Sequence, residues 1–432
     1  MYKYFPHTPS DERQMLDKIN LKEIDELFSD IPDSVKVKEI DIPSSFSEIE
    51  LRKWAKEVAS KNKQLVCFAG AGSYDVYTPS VISALTSRQE FLTSYTPYQA
   101  EISQGTLQYI FEYQTLICNL TGMDVANASN YDGATASMEA MHMAINQTRK
   151  NSFILANDLN PRIARVVKTL AKMHGVNIIE CSSVDMLDKI DEDVAGVLLA
   201  NPNYYGEIKD YTSLIDGIHT NSKAIVSMYT DPSTLAILKT PREMGADIAI
   251  GEAQTLGIPM SFGGPYLGYM ATTTKLMRKL PGRIVGMTKD LDSKRGYVLT
   301  LQAREQHIRR EKANSNICSN QSLMALHALI YSSLMGKAGL IDVAKRAYNN
   351  AHYLLEELLN RGLVKYSGGS FFKEFLVEVD FSVNSFLEYM EKEGFLAGVK
   401  VDDHHLLICA SEVRNKDEID KYVKLVEAYY VR

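Results

Sequence analysis

The sequence predicts an α/β protein with a large domain built on a mainly parallel sheet and a small α+β C-terminal domain. Three observations carry this. Short apolar runs at 153–156, 176–180, 197–200, 224–228 and 247–250 alternate with helical patterns such as 161–173 and 213–220. Apolar strands joined by helical crossovers form a parallel sheet covered on both faces. A long helical run over 319–359, interrupted near Gly336 and Gly339, then leads into a second strand-and-helix pattern. The 432 residues, 45% apolar and 23% charged, suffice for a large core and a smaller one. The boundaries read as 1–62 for an N-terminal helical arm, 63–335 for the large domain and 336–432 for the small one.

In chain order, Thr8-Pro9-Ser10 offers a cap for a helix over 11–19, and Asn20 with Glu23 resembles a capping box for the next. Pro32 and Pro43 break the segment after that helix. Leu51, Trp54, Ala55 and Val58 share one helical face, either an arm packing on another surface or a simple helical cap. Gly70-Ala-Gly72 lacks the third glycine and the strand–helix frame of a dinucleotide site. Residues 89–105 mix aromatic and polar groups without a period, as binding loops do. A helix over 106–120 should end at Gly122 in the left-handed region. Asn130-Tyr-Asp-Gly-Ala-Thr-Ala-Ser137 opens an alanine-rich helix. Its start is an Asp-Gly turn capping a buried helix, or a set of free N–H groups at Gly133, Ala134 and Thr135 for an anion.

The densest chemical signal is Asp247-Ile-Ala-Ile-Gly-Glu-Ala-Gln-Thr-Leu-Gly257, with the glycine-rich loop to Gly268 behind it. Upstream, Asp231 follows another apolar strand. An acid at one strand end and a turn after the next strand is the layout of a pyridoxal-phosphate site, where the acid pairs with the ring nitrogen and a lysine forms the imine. The turn here reads Ala253-Gln254-Thr255, and a glutamine amide forms no imine. Further on, residues 296–320 hold Arg304, Arg309, Arg310 and Lys312 against Glu305 and Glu311. This is a solvated face, or an ordered loop presenting arginines to an anion. In the C-terminal part, strands fall at 375–379, near Val399 and at 406–409, with helices over 385–392 and after Asn415, which pairs with Glu418 as a capping box.

Composition excludes several classes. A net charge of −7 argues against a general nucleic-acid binder. Five widely spaced cysteines without C-x-x-C read as reduced thiols. His404-His405 cannot point to one face of a strand, so no metal site is expected. Without a signal-like start or an 18-residue apolar run, the protein is expected to be cytoplasmic, with no membrane partner.

Several long stretches then resemble one family nearly end to end. They are Tyr95-Thr-Pro-Tyr-Gln-Ala-Glu-Ile-Ser-Gln-Gly105, Leu120-Thr-Gly-Met-Asp-Val-Ala-Asn-Ala-Ser129, Ser261-Phe-Gly-Gly-Pro-Tyr266, Pro281-Gly-Arg-Ile-Val-Gly286 and Arg304-Glu-Gln-His-Ile-Arg-Arg-Glu-Lys312. The family is the P-protein of the glycine cleavage system, glycine dehydrogenase (decarboxylating). Within it the chain is similar to subunit 1, the α subunit that corresponds to the N-terminal half of longer P-proteins. The resemblance implies an aminotransferase-like fold (pyridoxal-phosphate fold type I). It implies an α2β2 assembly in which the β subunit carries pyridoxal phosphate on its lysine and this chain carries none.

It also assigns Gln254 to the lost lysine position, and makes Asp231 and Gly133-Ala134-Thr135 a vestigial, empty cofactor site. The oxidoreductase activity implied belongs to the complex: glycine loses CO2, and its aminomethyl group passes to the lipoyl arm of H-protein, with T- and L-proteins indirect partners. Tyr95, Tyr98, Gln99 and Glu101, and Arg304, Glu305, His307, Ser315 and Asn316, become the interface contributions to the partner's site. Among these, Arg304 would hold the glycine carboxylate or steer the lipoyl arm. Two alternatives stand beside this reading: a scaffold that stabilises β and docks H-protein, and a self-sufficient enzyme using Lys239 or Lys275.

Overall fold

The computed structural model describes residues 6–37, 40–313 and 315–431. It divides into two compact units, Met1–Lys63 and Gln64–Arg432. In the first, the helix Pro9–Lys18 starts at Thr8, whose hydroxyl accepts from the Asp11 N–H while the Asp11 carboxylate accepts from the Thr8 N–H. The helix Glu48–Ala59 has the same reciprocal cap from Ser47 and Glu50. The box expected of Asn20 and Glu23 does not form. Asn20 turns into the left-handed region (φ 60°), and a short 3-10 turn, Ile24–Phe28, comes next without a side-chain cap. On the face predicted from Leu51 to Val58, Trp54 stacks on Phe46 with ring centroids 6.2 Å apart.

The second unit is built on a seven-stranded sheet. After the separate short β1 (Val66–Cys67), its strands are β2 (Val125–Ala126), β3 (Ser152–Ala156), β4 (Asn177–Cys181), β5 (Val194–Ala200), β6 (Ile225–Thr230), β7 (Ile248–Glu252) and β8 (Gly268–Thr272). The order across the sheet is β2-β8-β7-β6-β5-β3-β4. Strands β4, β3, β5, β6 and β7 run parallel, and β8 and β2 are antiparallel at one edge. Every residue of β3 and β5 is buried, because helices lie over both faces. The helix Gln104–Thr121 ends at Gly122 with φ 72°, the left-handed cap expected there. A hairpin of β9 (Ile284–Lys289) and β10 (Arg295–Thr300) leads into the polar stretch that holds Arg304.

The C-terminal sheet has the order β11-β14-β13, from β11 (Glu374–Glu378), β13 (Val399–Lys400) and β14 (His405–Cys409). The short β12 (Phe395–Leu396) pairs with β1 instead, so the chain entering at Val66 starts beside the C-terminal core. Phe68 packs there against Tyr422 at 4.6 Å. Asn415 and Glu418 form the capping box predicted for the last helix, Lys416–Tyr430.

Between the two sheets runs the helix Ser322–Asn360. Contrary to the expectation of no such run, it is long and apolar enough to cross a membrane by length and composition, with a mean hydropathy of 1.3 over its window. Its packing is that of two core helices in tandem, meeting at Gly336 (φ 59°). Ala325, Ala328 and Tyr331 join the core of the seven-stranded sheet, and Ala351, Leu354 and Leu358 join the core of the C-terminal one.

The sheets also meet through Gly206, whose carbonyl accepts from Phe372 N–H at 3.1 Å. A Cβ at 206 would lie 1.7 Å from the Glu374 carbonyl oxygen, on a backbone with φ +85°. Gly206→Ala is therefore expected to destabilise the fold by about 3 kcal/mol or more. Gly175→Ala, at φ +67° with nothing within 4 Å, should lose only about 1 kcal/mol. Equal losses in denaturant titrations would contradict this picture of the junction.

Candidate functional site

Strands β6 and β7 end level, with Thr230 opposite Gly251, so Asp231 and Glu252 emerge side by side. They line a pocket of about 50 Å³ together with Tyr74, Asn160, Asn203, Tyr229, Lys373 and Glu374. This is the carboxyl end of the parallel strands, where open α/β sheets bind ligands.

Both oxygens of Asp231 face groups of this chain. One carboxylate oxygen accepts from the Ser233 N–H at 2.9 Å, the Ser233 hydroxyl at 2.8 Å and the Thr255 hydroxyl at 2.6 Å. The other lies 2.6 Å from Lys373 Nζ. Lys373 is 5% exposed, and its ammonium sits 3.9 Å from the Tyr74 ring centroid. Burial raises the Asp231 pKa, but the Lys373 charge and the hydroxyl donors outweigh it and hold the acid below its ordinary value. Burial likewise works against the Lys373 ammonium, and Asp231 outweighs it, leaving the lysine above its ordinary value. Both directions say that the pair is charged. Next to it, Glu374 accepts from the Ala71 N–H at 2.5 Å and the Tyr74 hydroxyl at 3.1 Å. Burial pushes its carboxyl up to about 7.

The helix Gly133–Thr148 points its N-terminus at the same place. Two of its first amides, those of Gly133 and Thr135, are taken by the chain's own acids. Asp132 accepts from the Thr135 N–H at 2.7 Å, and the Glu252 carboxyl accepts from the N–H groups of Gly133 at 3.0 Å and Leu267 at 2.7 Å. Tyr229 closes the approach: a Cβ on Gly133 would lie 2.7 Å from its hydroxyl. Gln254, at the presumed lysine position, is fully buried. Its amide clamps Tyr74, accepting from the N–H at 3.0 Å and donating to the carbonyl at 2.9 Å, with a second donation to Ile258.

These residues do not fit pyridoxal phosphate. No lysine stands on the turn, the acid for the ring nitrogen is already neutralised, and the helix end meant for a phosphate faces a carboxyl. The residues expected to form a vestigial cofactor site, Asp231 and Gly133, are engaged by side chains of this protein. Lys239 pairs with Asp210 at 2.8 Å and Lys275 is exposed; neither lines the pocket. The lysine that does, Lys373, was missed. Its only signal was its place in Phe371-Phe-Lys-Glu-Phe-Leu-Val377, since a charge inside an apolar strand must find a partner.

Elsewhere, the two polar loops come together. The Tyr98 ring meets the His307 ring edge-on at 5.0 Å, and the Arg283 guanidinium lies 5.3 Å from the Tyr98 centroid. Arg283 is 3% exposed. It donates to Asn320 at 3.1 Å and to the Tyr98 hydroxyl at 3.4 Å, and stands 3.8 Å from Glu305. His307 Nδ1 is 3.6 Å from the same carboxylate. Burial raises the Glu305 pKa, opposed by Arg283, His307 and Arg304. Sequence reasoning missed Arg283 and Asn320 as the residues that join the loops.

Tyr95, Gln99 and Glu101 are exposed, as is Asn316, and Tyr95, Tyr98 and Gln99 line a surface groove. Three predicted residues are turned inward, Glu305 being buried and Arg304 and Ser315 bound to the chain itself. Arg304 donates to the carbonyls of Leu280 and Gly282, so its guanidinium secures the 280–282 turn instead of offering a free fork to a carboxylate. Ser315 donates to Glu139, a buried acid pushed up to about 7. Among the described residues no group of three or more His, Cys, Asp or Glu stands as metal ligands do.

Comparison with known proteins agrees over the whole chain. The family model for the glycine cleavage system P-protein matches residues 2–426. A Moorella thermoacetica protein named probable glycine dehydrogenase (decarboxylating) subunit 1 is 47% identical, over 97% of this chain and 98% of that one. The crystal structure of a glycine decarboxylase (P-protein) of the glycine cleavage system, in inhibitor-bound form, superposes with a TM-score of 0.92 at 34% identity, covering 99% of this chain and 100% of that one. A sphingosine-1-phosphate lyase from Burkholderia pseudomallei shares the fold alone, with a TM-score of 0.68 at 12% identity. The aminotransferase-like fold type I expected from the sequence is therefore the fold of this chain.

The raised acids give a pH prediction. Glu374 titrates near 7 in the folded chain against 4.5 ordinarily. Between those values the folded state keeps a proton that the unfolded state has lost, so stability falls as pH rises across the window and is level above it. Glu374→Gln should remove on the order of 3 kcal/mol of that fall. Denaturation midpoints measured from pH 4.5 to 8 check this; an unchanged slope in the variant would contradict it.

Proposed function

Because the chain belongs to the glycine cleavage system P-protein family, we propose that it is the lysine-less α subunit of a glycine decarboxylase and completes a reaction site carried by a partner chain. The observation that carries this is the closed pocket. Asp231 is neutralised by Lys373, Gly133 is capped by Glu252, and Gln254 stands where an imine-forming lysine would be needed. A chain built in this way supplies no cofactor chemistry of its own. The name subunit 1, borne by its relatives, supports a second subunit, and we assign pyridoxal phosphate to that β subunit in an α2β2 assembly.

In this reading glycine is the substrate. CO2 leaves, and the aminomethyl group passes to the oxidised lipoyl arm of H-protein; T- and L-proteins act on the later carriers. This chain's part is positioning and exclusion of water. Tyr95, Tyr98, Gln99, Glu101 and Asn316 present side chains that can cross a subunit boundary. His307 is held against Tyr98 and Glu305, and Arg283 fixes both loops from beneath. Arg304 and Ser315 act at one remove, by holding the 280–282 turn and the segment beside Glu139. A deep site between subunits keeps water from a reactive carbanion.

The test is glycine-dependent exchange of labelled CO2 in the presence of H-protein, for this chain alone, the partner alone and the mixture. Activity in the mixture only is the expected result. Tyr98→Ala and His307→Ala should each lower exchange by about tenfold or more while assembly, read by gel filtration, is unchanged. Normal exchange in both variants would reduce the chain to a scaffold. Activity in this chain alone would overturn the reading.

A further inference from the structure

The pocket beside Asp231 joins segments from both sheets. Asp231 leaves β6 of the seven-stranded sheet, and Lys373 and Glu374 stand at the start of β11 in the C-terminal one. Between them passes the segment from Gly70 to Tyr74. It is held by Glu374 on Ala71 and Tyr74 and by Gln254 on Tyr74. Gly206 fits against the Glu374 backbone with no room for a Cβ. Just beyond, Arg414 pairs with Asp75 at 2.7 Å.

We propose that this pocket is an internal latch: the Lys373 ammonium stands against Asp231 where a cationic ring nitrogen would stand, and the Glu252 carboxyl stands against Gly133 where a phosphate would stand, so the chain rejects phosphorylated pyridine ligands and uses the Asp231–Lys373 end to fix its two sheets in one arrangement.

Electrostatics makes the exclusion specific. A second cation entering beside Asp231 would meet an ammonium already 2.6 Å from the carboxylate, and like charges repel strongly where water is excluded. A phosphate at the helix Gly133–Thr148 would meet the Glu252 carboxyl, whose oxygens already take two backbone N–H groups. With its N–H already bound, Gly133 has no free donor to offer a phosphate. Protonated Lys373 is no nucleophile, so the pocket lysine forms no imine. The latch rests on the same contacts. Removing either charge leaves the other buried and unpaired, which is far worse than removing both.

The inference stands whether or not the protein acts on glycine, because its readouts are melting and binding, not turnover. Lys373→Met and Asp231→Asn should each lower the melting temperature of the full chain, Lys373→Met by about 5 °C or more. The double variant should recover most of the loss. Additive losses in the double variant would overturn the latch. For the exclusion, pyridoxamine phosphate is the probe, since it has the ring and the phosphate but no aldehyde to label surface lysines. Wild type should retain none after gel filtration, and Lys373→Met combined with Glu252→Ser should bind it at least tenfold more tightly than wild type by calorimetry. Retention of one probe per wild-type chain, or equal affinity in the two proteins, would overturn the exclusion. If the combined variant does not fold, Glu252→Ser alone, which leaves the Asp231–Lys373 pair in place, decides by the same binding measurement.

Discussion

The contact between Asp231 and Lys373 sets the terms for the rest of this site. Two charges 2.6 Å apart and largely withdrawn from water lose hydration that only close geometry and further hydrogen bonds offset. The geometry is supplied from both sides. Ser233 and Thr255 complete the shell of the carboxylate, and the Tyr74 ring lies against the ammonium. Each of these residues needs its own support, which is why Gln254, Glu374 and Gly206 are committed to backbone contacts around the pocket. A ligand displacing Lys373 would have to replace this network as well as the charge.

The consequence is a division of labour within one molecule. The concave, polar end of the parallel strands, where this fold type places its chemistry, is shut. The exposed loops carrying Tyr95, Tyr98 and Asn316 are open to another surface, and the buried Arg283–Glu305 contact beneath them holds Tyr98 and His307 together. The chain thus keeps a fold of the aminotransferase type with its strand-end pocket closed and its polar loops exposed.

Much of the fold was legible in the sequence. The apolar runs that became β3, β5, β6 and β7 are buried on both faces, so they carry no competing polar signal. Asp231 and Gln254 were legible because strand ends and turns place residues by local rules. Lys373 was not, because its partner Asp231 lies in another sheet; the contact to the neighbouring Ser233 already spans 140 positions, and a lysine next to a glutamate on a strand reads as a solvated pair. Arg304 and Ser315 misled for the converse reason. Arginine and serine in a polar loop suggest a ligand, and only tertiary structure shows the carbonyls and the buried Glu139 that occupy them. Asn20 and Glu23 have the spacing of a cap but not its backbone, since Asn20 takes the left-handed turn.

The central claim is that cofactor chemistry in the assembled enzyme belongs to the partner chain and none of it to this one. The most direct measurement is borohydride reduction of the purified complex with bound glycine absent, and then peptide mapping of the pyridoxyl label. The account predicts label on a lysine of the partner and an unlabelled peptide containing Lys373. A pyridoxyl group on Lys373, or on any other lysine of this chain at one per chain, would contradict it.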